Sequence, residues 1–353
     1  MKHIISTMAI LLMILASCSG PSPKPVHQEL NSVYYWKTVF HLDDAEIAFL
    51  KKHAIGRVYL RMFDVSEDKY VCSINDRAYP NASVKVDDED YRFITDSLKD
   101  KEFVPVVYIT LEALKAMNGH EGVLATNIVT RVRNMCEYNG LPNVCELQLD
   151  CDWTTSTEKS FFSLCDSVKL SIKKLGLSWR LSSTIRLHQL SRKAPPVDNG
   201  VLMVYNTGNF DDPDASNSII DVKDIKPYLK HLHGYALHLD VAYPTYSWQL
   251  LFRKRHFIGL LNGLNTNDTT AFVKEGENVY RAKRDIPYND RLIRKGDIVR
   301  HEKSEYTDIV SVKKMIDKAL SGSERSNILY HLDSKNISNY TDNEIEQLLS
   351  TAD

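Results

Sequence analysis

The chain is poor in the groups that covalent and metal chemistry use most. Six cysteines occur in 353 residues and no two form a CxxC pair. With no His-rich grouping either, nothing has the spacing of a structural zinc site. The sequence carries no glycine-rich phosphate loop, no G-x-S-x-G elbow and no Cys/His dyad, which argues against nucleophilic catalysis by serine or cysteine. It also lacks an excess of either charge. The 44 basic and 46 acidic residues leave a net charge of −2, so no broad attraction to nucleic acid is implied. What is present is an ordinary globular composition, 43% hydrophobic and 25% charged. The length suffices for one large core, and two domains are also feasible.

The amino terminus reads as a processing signal rather than as fold. Lys2 and His3 precede the apolar run Ile4 to Ala16, which is too short for a comfortable membrane span, and Leu15-Ala16-Ser17-Cys18 follows. That tetrad resembles a bacterial lipobox, which implies a signal peptide over 1–17, lipidation of Cys18 and attachment to a membrane through it. A plain secretory cleavage site with an incidental cysteine is the alternative. Residues 18–30, rich in Pro and Ser at their start, then form a tether. The expected location is the cell envelope. No acidic run follows Cys18, which favours the periplasmic face of the outer membrane. An exported chain could pair some of its five other cysteines, although Cys145 and Cys151 read most simply as small buried apolar residues.

From residue 31 onward strand and helix patterns alternate. Val33 to Trp36, Arg57 to Val65, Phe103 to Thr110 and the Asp150 strand within Cys145 to Thr154 are the first four strand candidates. Trp179 to Ile185, Val201 to Thr207, Tyr235 to Pro244 and Asn327 to Asp333 complete eight. Helical periodicities lie between most of them, at Asp43 to Lys52, Asp87 to Lys99, Leu124 to Tyr138, Glu158 to Leu175 and Ile219 to His231, with Asp342 to Leu349 closing the series. Eight such units are the pattern of a (β/α)8 TIM barrel. Units one to seven are expected over 31–261, a β-rich insertion over 262–306 and the closing unit over 307–353. Within the insertion, Ala282-Lys283-Arg284-Asp285-Ile286-Pro287 and Gly296-Asp297-Ile298-Val299 faintly resemble the β-clip module of antifreeze-like and SAF domains. A β-rich loop over the barrel mouth fits the same residues. Its Arg and Lys cluster suits either an anionic sugar or lipid headgroup, or simply water.

The candidate chemistry is densest in Cys145 to Thr154. On a strand, Gln148, Asp150, Asp152 and Thr154 share one face, and Leu147, Leu149, Cys151 and Trp153 the other. In a barrel the polar row points inward, at the end where such enzymes keep their chemistry. The remaining strand ends offer Trp36, Asp64, Thr110 with nearby Glu112, Ser183 with Arg186, Tyr205 with Asn206, Asp240 with Tyr243, and His331 with Asp333. Carboxylates and aromatics dominate, a palette suited to sugars. His238 with Asp240 and His331 with Asp333 also permit a metal reading, but no metal and no cofactor is assigned.

Asp150-Cys151-Asp152-Trp153-Thr154 resembles the fourth-strand Asp-x-Asp-x-Glu motif of family 18 glycoside hydrolases, the chitinase-like barrels, and Met203-Val204-Tyr205-Asn206 resembles their sixth-strand phrase. The chain is also similar to a group of glycosidase-like bacterial lipoproteins with a Gln-x-Asp-x-Asp strand, here Gln148, Asp150 and Asp152. These resemblances imply a barrel that contacts glycans, with Asp152 orienting an acetamido group and Tyr205 supporting a cyclised intermediate. Thr154 departs from the motif, because it stands where the leaving-group acid belongs. Hydrolysis then needs another carboxyl pair: Asp152 as acid, with Asp150 or Asp240 as its partner. The expected substrate contacts are Trp36, Asp64, Gln148, Tyr205, Asn206, Tyr243, His331 and Asp333. The leading expectation is a lipid-anchored barrel that hydrolyses a glycosidic bond, and a non-catalytic glycan-binding protein descended from such enzymes is the alternative.

Overall fold

Eight parallel strands close on themselves: β1 (Ser32–Tyr35), β2 (Arg57–Glu67), β3 (Glu102–Ile109), β4 (Glu146–Asp150), β5 (Arg180–Arg186), β6 (Asn199–Met203), β7 (Leu239–Pro244) and β8 (Asn327–Tyr330). Each pairs with its sequence neighbour, and β1 pairs with both β2 and β8, so the sheet has no open edge. This is the (β/α)8 barrel that the eight units predict. The computed structural model describes residues 28–289 and 291–351. The expected signal peptide, Cys18 and the tether up to residue 27 lie outside them. Among the described residues no helix is long and apolar enough to cross a membrane.

The barrel strands are apolar on both faces because side chains fill the inside and helices cover the outside. In β3, Phe103, Val104, Val106, Val107 and Ile109 are all fully buried. The longer outer helices are α1 (Asp44–Lys52), α2 (Asp88–Ser97), α3 (Glu121–Tyr138), α4 (Glu158–Lys174), α5 (Tyr306–Ala319) and α6 (Asp342–Leu349). Asp43 and Glu46 start α1 with a reciprocal capping box. The helix expected over 219–231 is instead a single turn, Val222–Ile225, followed by a 3-10 stretch, Lys226–His231. Pro227 lacks the N–H that a continuous α-helix there would require.

Between β7 and α5 the chain builds a five-stranded antiparallel sheet from Ser247–Arg253, His256–Leu261, Phe272–Lys274, Val279–Ala282 and Ile298–Lys303. It begins at Ser247, not at residue 262, so 247–261 belong to the added sheet rather than to the seventh unit. Leu250, Leu251 and Phe252 are as apolar as a barrel wall would be, but they are buried on a strand that pairs with its neighbours in the added sheet. The sheet has a small core of its own, including Leu251, Leu261, Phe272, Ala282, Ile293 and Val299. Because it interrupts the seventh strand-to-helix loop, it emerges at the carboxyl-terminal end of the barrel, where loops define a site. Glu302 ties it down. Its carboxylate accepts from Trp248 Nε1 (2.7 Å), from Ser218 N (2.9 Å) and from Arg300 Nε (2.7 Å).

Candidate functional site

Asp150, the last residue of β4, is 2% exposed. It accepts a hydrogen bond from Thr184 Oγ1 at 2.6 Å and one from Arg186 Nη2 at 3.1 Å, both donors being on β5. Arg186 Nε donates to Asp152. One guanidinium therefore spans both acids of the Asp150-Cys151-Asp152 strand end. Its plane also lies over the Tyr205 ring, 5.7 Å from the centroid, and Nη1 donates to the Tyr205 hydroxyl at 3.4 Å. Burial raises the Asp150 carboxyl above the ordinary aspartate range, Arg186 pulls it back, and repulsion from Asp152 adds to the rise. The same charges act on Tyr108 at the end of β3, whose hydroxyl is pushed to about 12 by burial and then by Asp152 and Asp150. Asp152 keeps 45% of its side chain exposed, so it is the acid that faces the opening.

Aromatic rings pave the floor beneath and beside these acids. The Tyr34 hydroxyl donates to Gln148 Oε1 at 2.6 Å, and Gln148 Nε2 reaches Ser182 Oγ at 3.4 Å. Gln148 is fully buried; its amide holds the floor and does not reach the opening. Tyr330 stacks on Tyr205 at 4.5 Å and tilts against Trp36 at 5.7 Å. Tyr246 meets Tyr205 edge-on at 5.9 Å, and Trp248 meets Tyr246 edge-on at 5.6 Å. Asn206 sits at φ +51°, a left-handed conformation that asparagine tolerates better than most residues, and its exposed amide oxygen accepts from the Tyr246 hydroxyl at 2.7 Å. The added sheet supplies Trp248 directly and fixes Tyr246 from behind.

Asp64 reaches the rim through a local irregularity. Strict alternation along β2 would place Arg61 and Asp64 on opposite faces. The pairing with β3 slips between Arg61 and Phe63, so one extra residue intervenes and both point inward. Arg61 Nε and Nη2 then bind the two oxygens of Asp64 at 3.0 and 2.5 Å, and the Arg61 guanidinium covers the Trp36 ring at 5.6 Å.

Other sequence-predicted positions do not join this group. Asp240 is the second residue of β7, close to the amino-terminal end of the barrel. Fully buried, it accepts from Ser326 N at 2.7 Å and lies 3.5 Å from His238 Nε2. It is a partner for neither Asp150 nor Asp152. The observed strand starts at Leu239, not at Tyr235 as predicted, and it runs four residues past Asp240 to Pro244, so Asp240 lies deep in the barrel and away from the mouth. Tyr243 is also fully buried, and the charges nearest its ring are Asp317 of α5 and Arg325. It faces the helix layer and cannot be a sugar platform. Asp333 caps the short helix Ser334–Ile337, donating nothing and accepting from Asn336 N at 3.3 Å, with Lys37 Nζ 3.5 Å away. His331 follows Tyr330 at the rim; its ring stays within reach of the Leu332 carbonyl at 3.2 Å, and burial lowers its affinity for a proton. Among the described residues no three His, Cys, Asp or Glu side chains converge as a metal site would require, and Cys72, Cys136, Cys145, Cys151 and Cys165 are all free thiols.

Thr154 lies just past the acids. Its N–H donates to Thr157 Oγ1 at 2.9 Å and its hydroxyl meets Ser156 Oγ at 3.0 Å. It closes a turn and offers no dissociable proton to a leaving group. Arg186, Tyr108, Tyr246 and Tyr330 complete the constellation without having been singled out as contacts from the sequence. Arg186 stands at the end of the fifth strand, and only its partners reveal its role.

Neither protein-family models nor curated protein sequences match this chain. Solved structures do. A chitinase from Chromobacterium violaceum aligns over 91% of this chain and 98% of its own, with 11% identity and a TM-score of 0.55. The Bacillus cereus spore cortex-lytic enzyme SleL aligns over 93% of this chain and 76% of its own, at 11% identity and 0.51. A glycoside hydrolase family 18 N-acetylglucosaminidase from Paenibacillus barengoltzii aligns over 91% and 100%, at 10% identity and 0.50. The chain has the fold of chitinase-like (β/α)8 barrels. At identities this low the likeness establishes the fold and nothing finer.

Proposed function

We propose that this protein is a lipid-tethered glycan-binding barrel, which holds a neutral oligosaccharide at its mouth without cleaving it. One observation carries the reading: Arg186 donates to both Asp150 and Asp152. A general acid needs a free protonated carboxyl within reach of the leaving oxygen. Asp152 is here an ion-paired acceptor, Asp150 is sealed beneath it, and Thr154 supplies no substitute. The same carboxylates remain good acceptors for sugar hydroxyl or amide hydrogens.

The surroundings support binding. Trp36, Tyr246, Trp248 and Tyr330 are all partly exposed, and Asn206 and Asp152 add polar groups between them. An aromatic face with a few convergent hydrogen-bonding groups is the usual make-up of a small-molecule site. The structural neighbours include a chitinase and an N-acetylglucosaminidase by name, which makes N-acetylglucosamine oligomers the first ligands to try. The lipobox-like Leu15-Ala16-Ser17-Cys18 supports attachment through a lipidated Cys18, on the periplasmic side of the outer membrane.

Titration calorimetry with N-acetylglucosamine oligomers and a panel of other neutral oligosaccharides tests the site. Trp36→Ala is expected to weaken binding roughly two- to twelvefold, since losing one aromatic platform costs roughly 0.5–1.5 kcal/mol. Equal affinity of wild type and Trp36→Ala for every oligosaccharide bound would remove the mouth as the site.

A further inference from the structure

A groove of about 720 Å³ runs along the outer wall of the barrel, between the Asn75–Pro80 segment and helix α3. Its volume falls within the range of about 300–1,000 Å³ typical of small-molecule sites. None of the residues that line it belongs to the mouth. One wall is the strand Ala78–Asn81, which pairs antiparallel with the end of β2. The other is the outward stripe Asn127, Thr130, Arg131, Asn134 and Tyr138 of α3, residues three and four apart that lie along one side of a helix.

The chemistry of this stripe is unlike that of a merely solvated face. Helix α4 presents Lys159, Lys169, Lys173 and Lys174, as an outward surface usually does. The groove on α3 instead gathers the carboxamides of Asn75, Asn127 and Asn134 with the rings of Tyr79 and Tyr138, which are 41% and 82% exposed. Its one cation is committed elsewhere: Arg131 Nη2 donates to Ser83 Oγ at 3.1 Å and its guanidinium covers the Phe63 ring at 5.2 Å. Asp76 is the one acid in the lining. An anionic ligand finds no free counter-charge here, and a cationic one would meet a single carboxylate, Asp76. Asn134 Oδ1 already accepts from Arg133 Nε and Nη2 at 3.2 and 2.9 Å, and Asn127 Nδ2 reaches the Asn75 carbonyl at 3.4 Å, so Asn134 offers a sugar hydroxyl its amide N–H and Asn127 its carbonyl oxygen, while tyrosine rings present apolar faces with a polar tip.

We infer that this groove is a second saccharide-binding site, which takes a neutral sugar unit or short oligosaccharide on the barrel wall while the mouth holds another part of the glycan. The inference rests on the glycan-binding reading for its class of ligand and on the groove alone for its position. Two sites on one rigid barrel would raise retention on a polymer well beyond the affinity of either.

The test uses the full chain with N-acetylglucosamine oligomers and an array of other neutral oligosaccharides, measured by calorimetry and by retention on immobilised polysaccharide. Tyr138→Ala and Asn134→Ala are compared with Trp36→Ala; Tyr138 is largely exposed, so its replacement leaves the fold intact. Each groove variant is expected to lose roughly two- to twelvefold in affinity at one of two sites, leaving the Trp36-dependent site unchanged. Loss in the groove variants with no effect of Trp36→Ala would uphold the groove and remove the mouth. Unchanged binding and retention in both groove variants overturns the inference, and so does an array on which the wild-type chain binds nothing.

Discussion

Replacing Arg186 by Met is expected to cost about 3–5 kcal/mol of folding stability, the usual penalty for removing one partner of a buried ion pair. Asp150 would stay buried with only the neutral Thr184 hydroxyl as donor. The loss has a definite pH dependence. In the wild-type protein the Asp150 carboxyl already lies above its ordinary range, with burial as the main cause and Arg186 as the restraint. Without Arg186 it rises further. Between about pH 4, where an unfolded aspartate titrates, and that raised value, the folded state holds a proton that the unfolded state has released. Stability of the variant must therefore be highest at the acid end of this window and fall as pH increases through it. Denaturant unfolding of wild type and variant at several pH values measures both effects. Adding Asp150→Asn to Arg186→Met should recover much of the loss at neutral pH, because no buried charge is then left unpaired. A destabilisation that does not vary with pH would mean that Arg186 stabilises through packing alone.

Trp153→Ala is expected to cost a similar amount, about 3–5 kcal/mol, and to weaken oligosaccharide binding as well. Trp153 is the largest fully buried side chain of the described residues. It stacks on Phe161 at 6.1 Å and meets Phe162 edge-on at 5.5 Å, both from α4. It also sits between Asp152 and Thr154, pointing outward where Asp152 points into the mouth. Its burial pins the loop that positions the exposed acid. The indole Nε1 has no hydrogen-bond partner among the described residues, so Trp153→Phe should cost far less and keep binding nearly intact. Thermal unfolding and calorimetry on both variants separate packing from recognition. Equal binding by Trp153→Ala and wild type, at a temperature where both are folded, would show that the loop holds Asp152 without this anchor.

The barrel could be read from the sequence because each unit repeats the same physical pattern, an apolar strand followed by an amphipathic segment, and the closure of eight such units follows from burying all of them. The face of β4 was legible for the same reason: a period of two separates Gln148 and Asp150 from Leu147 and Leu149 without any knowledge of neighbours. Depth along a strand was not. Asp240 has the inward parity that the alternation gives it, but parity says nothing of depth: β7 runs four residues past it to Pro244, so it lies near the floor rather than at the mouth. Tyr243, three residues from Asp240 on an unbroken strand, must face the other way, so the two could never share one site. Asp64 is the converse. Alternation from Arg61 would send it outward, and only the slip in the β2–β3 pairing brings it in. Arg186 was visible as a strand-end residue, but that it neutralises the two acids depends on contacts between strands, which no periodicity encodes. The start of the added sheet at Ser247 was hidden because Leu250 to Phe252 is as apolar as the barrel itself.

The proposal that the mouth holds sugar without cutting it rests on a single guanidinium that contacts both acids, and product analysis tests it most directly. The full chain is incubated at high concentration with each oligosaccharide it binds, across a range of pH, and new reducing ends are counted against a no-protein control. The expected result is binding with no release above the control for the wild-type protein and for Asp152→Asn alike. Release by the wild type that Asp152→Asn abolishes would contradict it, and would make Asp152 a working acid despite its contact with Arg186.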